Sequence, residues 1–357
     1  MNMPNQNQVM RLGLLAVLLG LLAGCASHSK KKAFIFFPPP PDEPRLQYLT
    51  SFSSERTLGG HRRFEDYVLG TSVSDRPISK PYGVTVHGDK IYICDSGAAS
   101  VDIASLSKSR LNYFNLEGEG QMRLPVNVAV DTNGVLYVTD VNRGQVLIYS
   151  ADEDYLAAIG KKDEMKPSGL AVSDSRIYVG DLKNHGVRVY DKTNHSLLFS
   201  IPRANGDDQA KLFLPTNLTL DQQGRLYVSD TGGFFVKIFD ADGNFIRHIG
   251  NMGDAFGQFF RNKGIAVDHE NRIYVVDAAT TVVQIFDSAG RLLTYFGEGK
   301  ASGEGALYLP AGIALDYGNV AHFQKYAAPG FKIEFLIYVT NQVGTHKVSI
   351  YGFGHKL

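Results

Sequence analysis

Cysteine is almost absent from this 357-residue chain, which has only Cys25 and Cys94. Neither sign of charge is in surplus, with 36 Lys and Arg against 36 Asp and Glu, and no basic stripe occurs. That balance excludes nucleic acid as the main partner. There is no Cys-x-x-Cys-His motif, so haem of the c type is excluded by that route. A Gly-x-Ser-x-Gly elbow, a His-Glu-x-x-His pair and a phosphate-cradling glycine loop are also missing, which removes the usual nucleophile, zinc-hydrolase and nucleotide signatures. The one long apolar run, residues 12–22, is too short to span a membrane as a permanent helix. What is plentiful is apolar residue content, 44%, ample for a large core.

The chain also contains a phrase that returns six times. Its copies are Tyr92-Ile-Cys-Asp95, Tyr137-Val-Thr-Asp140, Tyr178-Val-Gly-Asp181, Tyr227-Val-Ser-Asp230, Tyr274-Val-Val-Asp277 and Tyr338-Val-Thr-Asn341. Their tyrosines are 45, 41, 49, 47 and 64 residues apart. A period of this size in strand-type residues predicts propeller blades, none of which can bury its faces alone. The fourth copy is the cleanest: Leu218-Thr-Leu220, the turn Asp221 to Gly224, Leu226-Tyr-Val-Ser, Val236 to Phe239, the turn Asp240 to Gly243, and Asn244 to Ile249. Period-two patterning broken by Asp and Gly turns predicts an antiparallel four-stranded meander. Cys94 fills the slot held elsewhere by Thr139, Gly180, Ser229 and Val276, as a packed strand residue would.

Six copies in this register resemble the NHL-repeat family of six-bladed β-propellers, over roughly residues 45–354. The resemblance implies an all-β fold of four-stranded antiparallel blades. The last repeat ends after three strands, near Tyr351 to Gly354, while residues 45–52 have the alternation of an orphan fourth strand. That segment is therefore expected beside residues 347–352, completing the last blade and removing an exposed edge.

The N-terminus carries a second resemblance. Arg11 precedes the apolar run, and Leu22-Ala-Gly-Cys25 is similar to the cleavage box of bacterial lipoproteins. It implies a signal peptide over residues 1–24, diacylation of Cys25 and a membrane attachment through lipid; Ala26 favours the outer membrane. A plain secretory peptide is the competing reading. With Cys25 acylated, no intrachain disulfide is available. The basic stretch 27–32 and the prolines 38–41 and 44 predict an extended spacer over residues 25–44, leaving the propeller as residues 45–357.

In such a meander the acids ending the second strands ring one mouth of the central channel, together with the strand-opening residues. Recurrence in every blade marks these acids as turn caps. The residues that break the repeat are the candidates for binding: Tyr82, Asn127, Arg143, His185, Asn217, Asn341 and His346. On the other face, residues 317–335 replace a short turn in the last blade, and His322, Phe323, Tyr326 and Phe331 are candidates there, either for binding or as a packing flap.

Related propeller enzymes supply further comparisons. Amidating lyases carry zinc-binding histidines four residues after the acid, a spacing matched by His185 but not by His346, and Ala99, Gly144, Phe234 and Thr281 leave a third ligand missing. The lactonase type binds calcium at the axis, where Asn127 and Asn217 resemble part of the set without any acid beside them. Nothing isolates the histidine base that the virginiamycin lyase type would need. The expected function is thus a lipid-anchored scaffold that binds another protein of the cell envelope, with no cofactor predicted. A zinc- or calcium-dependent lyase or lactonase is the alternative.

Overall fold

The structure, a computed structural model, describes residues 34–59, 76–203, 208–297 and 303–357. The expected signal segment, Cys25 and the basic stretch 27–32 lie outside the described residues.

The fourth repeat shows how the sequence builds a blade. Its strands β15 (Pro215–Leu220), β16 (Leu226–Asp230), β17 (Phe235–Phe239) and β18 (Phe245–Ile249) pair in chain order. Asp221 Oδ1 accepts the N–H groups of Gln223 and Arg225, both at 2.9 Å, and Gly224 supplies the positive φ of +75° that closes the turn. Asp240 and Gly243 repeat the device between β17 and β18. Every residue of β16 is buried, whereas β18 alternates between exposed and covered positions. A middle strand has a neighbouring blade on both faces; the outermost strand has solvent along one edge and half of its length.

Five such sheets are β3 to β6 (from Pro81–His87 to Arg110–Phe114), β7 to β10 (Pro125–Val130 to Tyr155–Ile159), β11 to β14 (Pro167–Val172 to Leu197–Ile201), β15 to β18, and β19 to β22 (Asn262–Val267 to Leu292–Phe296). The sixth holds β23 (Pro310–Asp316), β24 (Phe331–Asn341) and β25 (Val348–Lys356). Their inner strands neighbour one another around a closed ring, β23 meeting β3. The core lies between blades: Tyr227, Val236 and Ile238 of blade four pack with Ile265, Ile273 and Val275 of blade five. Each such side chain contributes about 1.5–3 kcal/mol on burial. The molecule is a six-bladed β-propeller. Cys94 is buried between the first two blades, and burial pushes its thiol well above the ordinary value.

In blades two, four, five and six the repeat tyrosine and the repeat acid or amide fasten opposite ends of the second strand. On the underside, the hydroxyls of Tyr137, Tyr227, Tyr274 and Tyr338 donate to Asp131, Asp221, Asp268 and Asp316 at 3.4, 3.1, 2.9 and 2.9 Å. Burial raises these phenols, Tyr227 to about 12. At the axis, neighbouring inner strands approach so closely that a Cβ on Gly169 would lie 2.6 Å from the Asn217 Cα, and one on Gly312 would lie 2.3 Å from the Tyr82 carbonyl oxygen.

Ring closure follows the expectation. Strand β2 (Leu46–Phe52) runs antiparallel to β25, pairing Leu46 with Phe353 and Phe52 with Val348. The spacer differs from expectation at its end. Ile35–Phe37 form β1, a fifth strand of this blade that pairs Ile35 with Tyr48 and Phe37 with Leu46. Residues 38–44 are then the connection of a hairpin, closed by the Arg45 N–H on the Phe37 carbonyl at 3.0 Å. Aromatic packing holds the added strand: Phe37 meets Phe296 and Tyr351 at 6.2 Å each, and Phe36 meets Phe331 at 5.6 Å.

Candidate functional site

The loops between second and third strands share one face with the connections between blades. There the six repeat acids and amides are wholly buried and act as staples. Asp95 accepts the N–H groups of Ser79 and Lys80 at 2.6 and 2.8 Å. Asp140 accepts those of Arg123 and Leu124 at 2.5 and 3.0 Å, and Asp277 those of Phe260 and Arg261 at 2.8 and 3.1 Å. Asp181 takes Lys166, and Asp230 takes Phe213 and Leu214. Asn341 does the same work with one amide oxygen, on the Tyr308 N–H at 2.9 Å. Each staple fixes the segment leading into the inner strand of its own blade.

The other mouth candidates are mostly fasteners as well. Arg143 donates to the carbonyls of Glu119 and Gln121 at 2.6 and 2.7 Å, holding the connection between blades one and two. His185 sits at φ 53°, and the same place in other loops is held by Ala99, Phe234 and Thr281 at 55°, 62° and 59°. Its spacing from Asp181 is therefore that of a turn-closing residue, and its Nδ1 bonds the Phe213 carbonyl at 2.5 Å. His346 Nδ1 lies 2.5 Å from Ser51 Oγ on the closure strand. The two histidines belong to blades three and six, on opposite sides of the ring, and do not fit a shared zinc.

Asn127 and Asn217 meet each other instead of a cation. Asn127 Nδ2 donates to Asn217 Oδ1 at 3.1 Å across blade three, and Asn127 Oδ1 accepts the Val128 N–H at 3.0 Å. No carboxylate joins them, so the pair does not fit calcium. Among the described residues, no group of three or more His, Cys, Asp or Glu side chains is placed to hold a metal ion. Both asparagines line an axial channel of about 320 Å³, with Thr85, Ala171, Ala266 and Ala314 among the other lining residues. On the other side of the mouth, Lys263 Nζ donates to the Tyr82 hydroxyl at 2.7 Å and stands 4.7 Å from its ring, across blade six.

A feature of which sequence reasoning picked out only Tyr308 lies on this same face. The residue stapled by the repeat acid or amide, two before the inner strand, is Phe213 in blade four, Phe260 in blade five and Tyr308 in blade six. Phe213 is 55% exposed and Phe260 51%, with Leu214 beside them at 42%. Phe234 fills the space to Phe260, their ring centroids 6.4 Å apart. The signal was present in the sequence as a repeat position that turns aromatic in three successive blades, where Ser79, Arg123 and Met165 stand in the others.

The underside insertion is mostly core. Phe323 and Phe331 are 2% and 3% exposed and pack with Ile91, Leu106 and Leu336 between blades six and one. These two are therefore not surface binding residues. His322, in the one-turn helix Val320–Phe323, and Tyr326 are half-buried; burial, aided by Lys325, holds His322 below the ordinary imidazole range.

Comparison with known proteins agrees on the fold. A family described as a 6-bladed beta-propeller matches residues 212–295. A structural genomics protein of unknown function from Bacteroides thetaiotaomicron is similar at TM-score 0.60 and 13% identity, over 86% of this chain and 75% of its own. A catalytically inactive virginiamycin B lyase from Staphylococcus aureus, solved with quinupristin, is similar at TM-score 0.53 and 12% identity, over 79% and 96%. A streptogramin B lyase gives the same TM-score and identity over 78% and 84%. At these identities the likeness is one of fold.

Proposed function

We propose that this propeller is a lipid-anchored binding module of the bacterial cell envelope, attached through Cys25 to the outer membrane, and that a protein partner docks on its mouth face. One observation carries the reading: Phe213, Phe260 and Tyr308 form an arc of aromatic side chains whose backbones are pinned by buried acids or an amide. Aromatic anchors on a pre-ordered backbone are what protein interfaces use as hot spots, because little entropy is lost on docking. Arg143, His185, Asn341 and His346 are tied into the scaffold, whereas Phe213 and Phe260 expose about half of their side chains on that face. Exposed large apolar side chains grouped in this way favour association.

The test is reconstitution by crosslinking. Phe213→Ala with Phe260→Ala should abolish recovery of the stoichiometric partner captured by the native chain, while melting unchanged within about 1 kcal/mol. Undiminished recovery would contradict the reading. Loss of lipid labelling in Cys25→Ser tests the anchor separately.

A further inference from the structure

The channel mouth holds a buried cation without an anion. Lys263 is only 8% exposed, and its ammonium has the Tyr82 hydroxyl and ring as its partners; among the described residues no carboxylate pairs with it. Burying an ammonium without an opposite charge is costly, and the uncompensated charge projects a positive potential into a channel walled by protein. Of the repeat residues flanking it, the acid Asp277 of its own blade and the neutral amide Asn341 of the next have their side-chain oxygens turned to backbone N–H groups.

Two further donors stand at the same opening. Because the Tyr82 oxygen accepts from Lys263, its own proton is left to donate elsewhere. Asn217, 4% exposed and lining the channel, has an Nδ2 with no hydrogen-bond partner in the protein, since its Oδ1 is the atom that engages Asn127. A buried amide donor left unmade costs free energy that a bound acceptor would recover. The opening thus combines a buried cation, a hydroxyl donor and an unpartnered amide donor above a cavity of about 320 Å³.

We infer that the channel mouth binds a small anion, a carboxylate or a phosphate group, with Lys263 as the charged anchor, Tyr82 as a second donor, and the body of the ligand in the channel. The site is separate from the aromatic arc and stands whether or not the arc docks a protein.

Calorimetric titration of the full chain in detergent, at low ionic strength, tests it with inorganic phosphate and with succinate as probes and chloride as control. Saturable binding of phosphate or succinate is expected, weakened by salt, and which of the two binds tells a phosphate ligand from a carboxylate. Lys263→Met should weaken it roughly tenfold or more, Lys263→Arg much less, and Leu156→Ala, at an exposed position on an outer strand, not at all. Should Lys263→Met fail to fold, Tyr82→Phe, which keeps the ring and removes the hydroxyl, is expected to weaken binding several-fold. Binding no stronger than that of chloride, or undiminished binding to folded Lys263→Met or to Tyr82→Phe, would overturn the assignment.

Discussion

Gln47 and Ala328, 281 positions apart, are joined by a hydrogen bond from the Ala328 N–H to the Gln47 Oε1 at 2.8 Å. The Gln47 Nε2 donates in turn to the Tyr326 carbonyl at 3.1 Å, and the side chain is fully buried. The strand that closes the ring therefore also pins the insertion beneath blade six. Gln47→Leu would take the side-chain acceptor from the buried Ala328 N–H, and should cost about 1–3 kcal/mol in denaturant unfolding. A loss below 1 kcal/mol would show that the insertion is held by its aromatic core alone.

Removing residues 34–52 should act on the whole ring. It strips β1 and β2 from β25 and exposes the partners of Leu46, Leu49 and Phe52, all nearly fully buried. The melting temperature should fall by roughly 10 °C or more. An unchanged melting curve would contradict closure by these strands.

The staples make a graded expectation. Asp230 holds the N–H groups of Phe213 and Leu214, and Asn341 shows that one amide oxygen can serve in blade six. Asp230→Asn should therefore cost about 1 kcal/mol, and Asp230→Ala about 2–4 kcal/mol, by thermal or chemical melting. Equal effects of the two variants would mean that the charge, not the hydrogen bonding, matters.

Much of this design was legible in the chain. The repeated acid or amide defines the blades because the same backbone staple recurs in each, with the tyrosine fastening added in blades two, four, five and six, and the alternation of residues 45–52 is long enough to read as a strand. Ile35–Phe37 was not legible: three residues abutting prolines carry no period. Phe323 and Phe331 read as loop aromatics because burial of a loop depends on which blade faces it. Lys263 and Tyr82, 181 positions apart, meet only because the ring returns on itself.

Asp102 should give the protein a pH-dependent stability. Burial pushes its carboxyl from 3.8 up to about 7, against the pull of the Arg76 guanidinium that hydrogen-bonds it. Between those values the folded state keeps a proton that the unfolded chain has released. Stability should then fall as pH rises from about 4 to 7 and level off above, as far as this group governs it. Melts across that window should lose this slope in Asp102→Asn. A variant that keeps the full slope would assign it to another group.

The claim that the mouth face is the docking surface can be met directly by placing a photocrosslinking amino acid at position 260, on that face, or at position 325, on the underside insertion, in cells making the full chain. A discrete adduct from position 260 and none from position 325 is the expected result. An adduct from position 325 alone, or equal adducts from both, would contradict it.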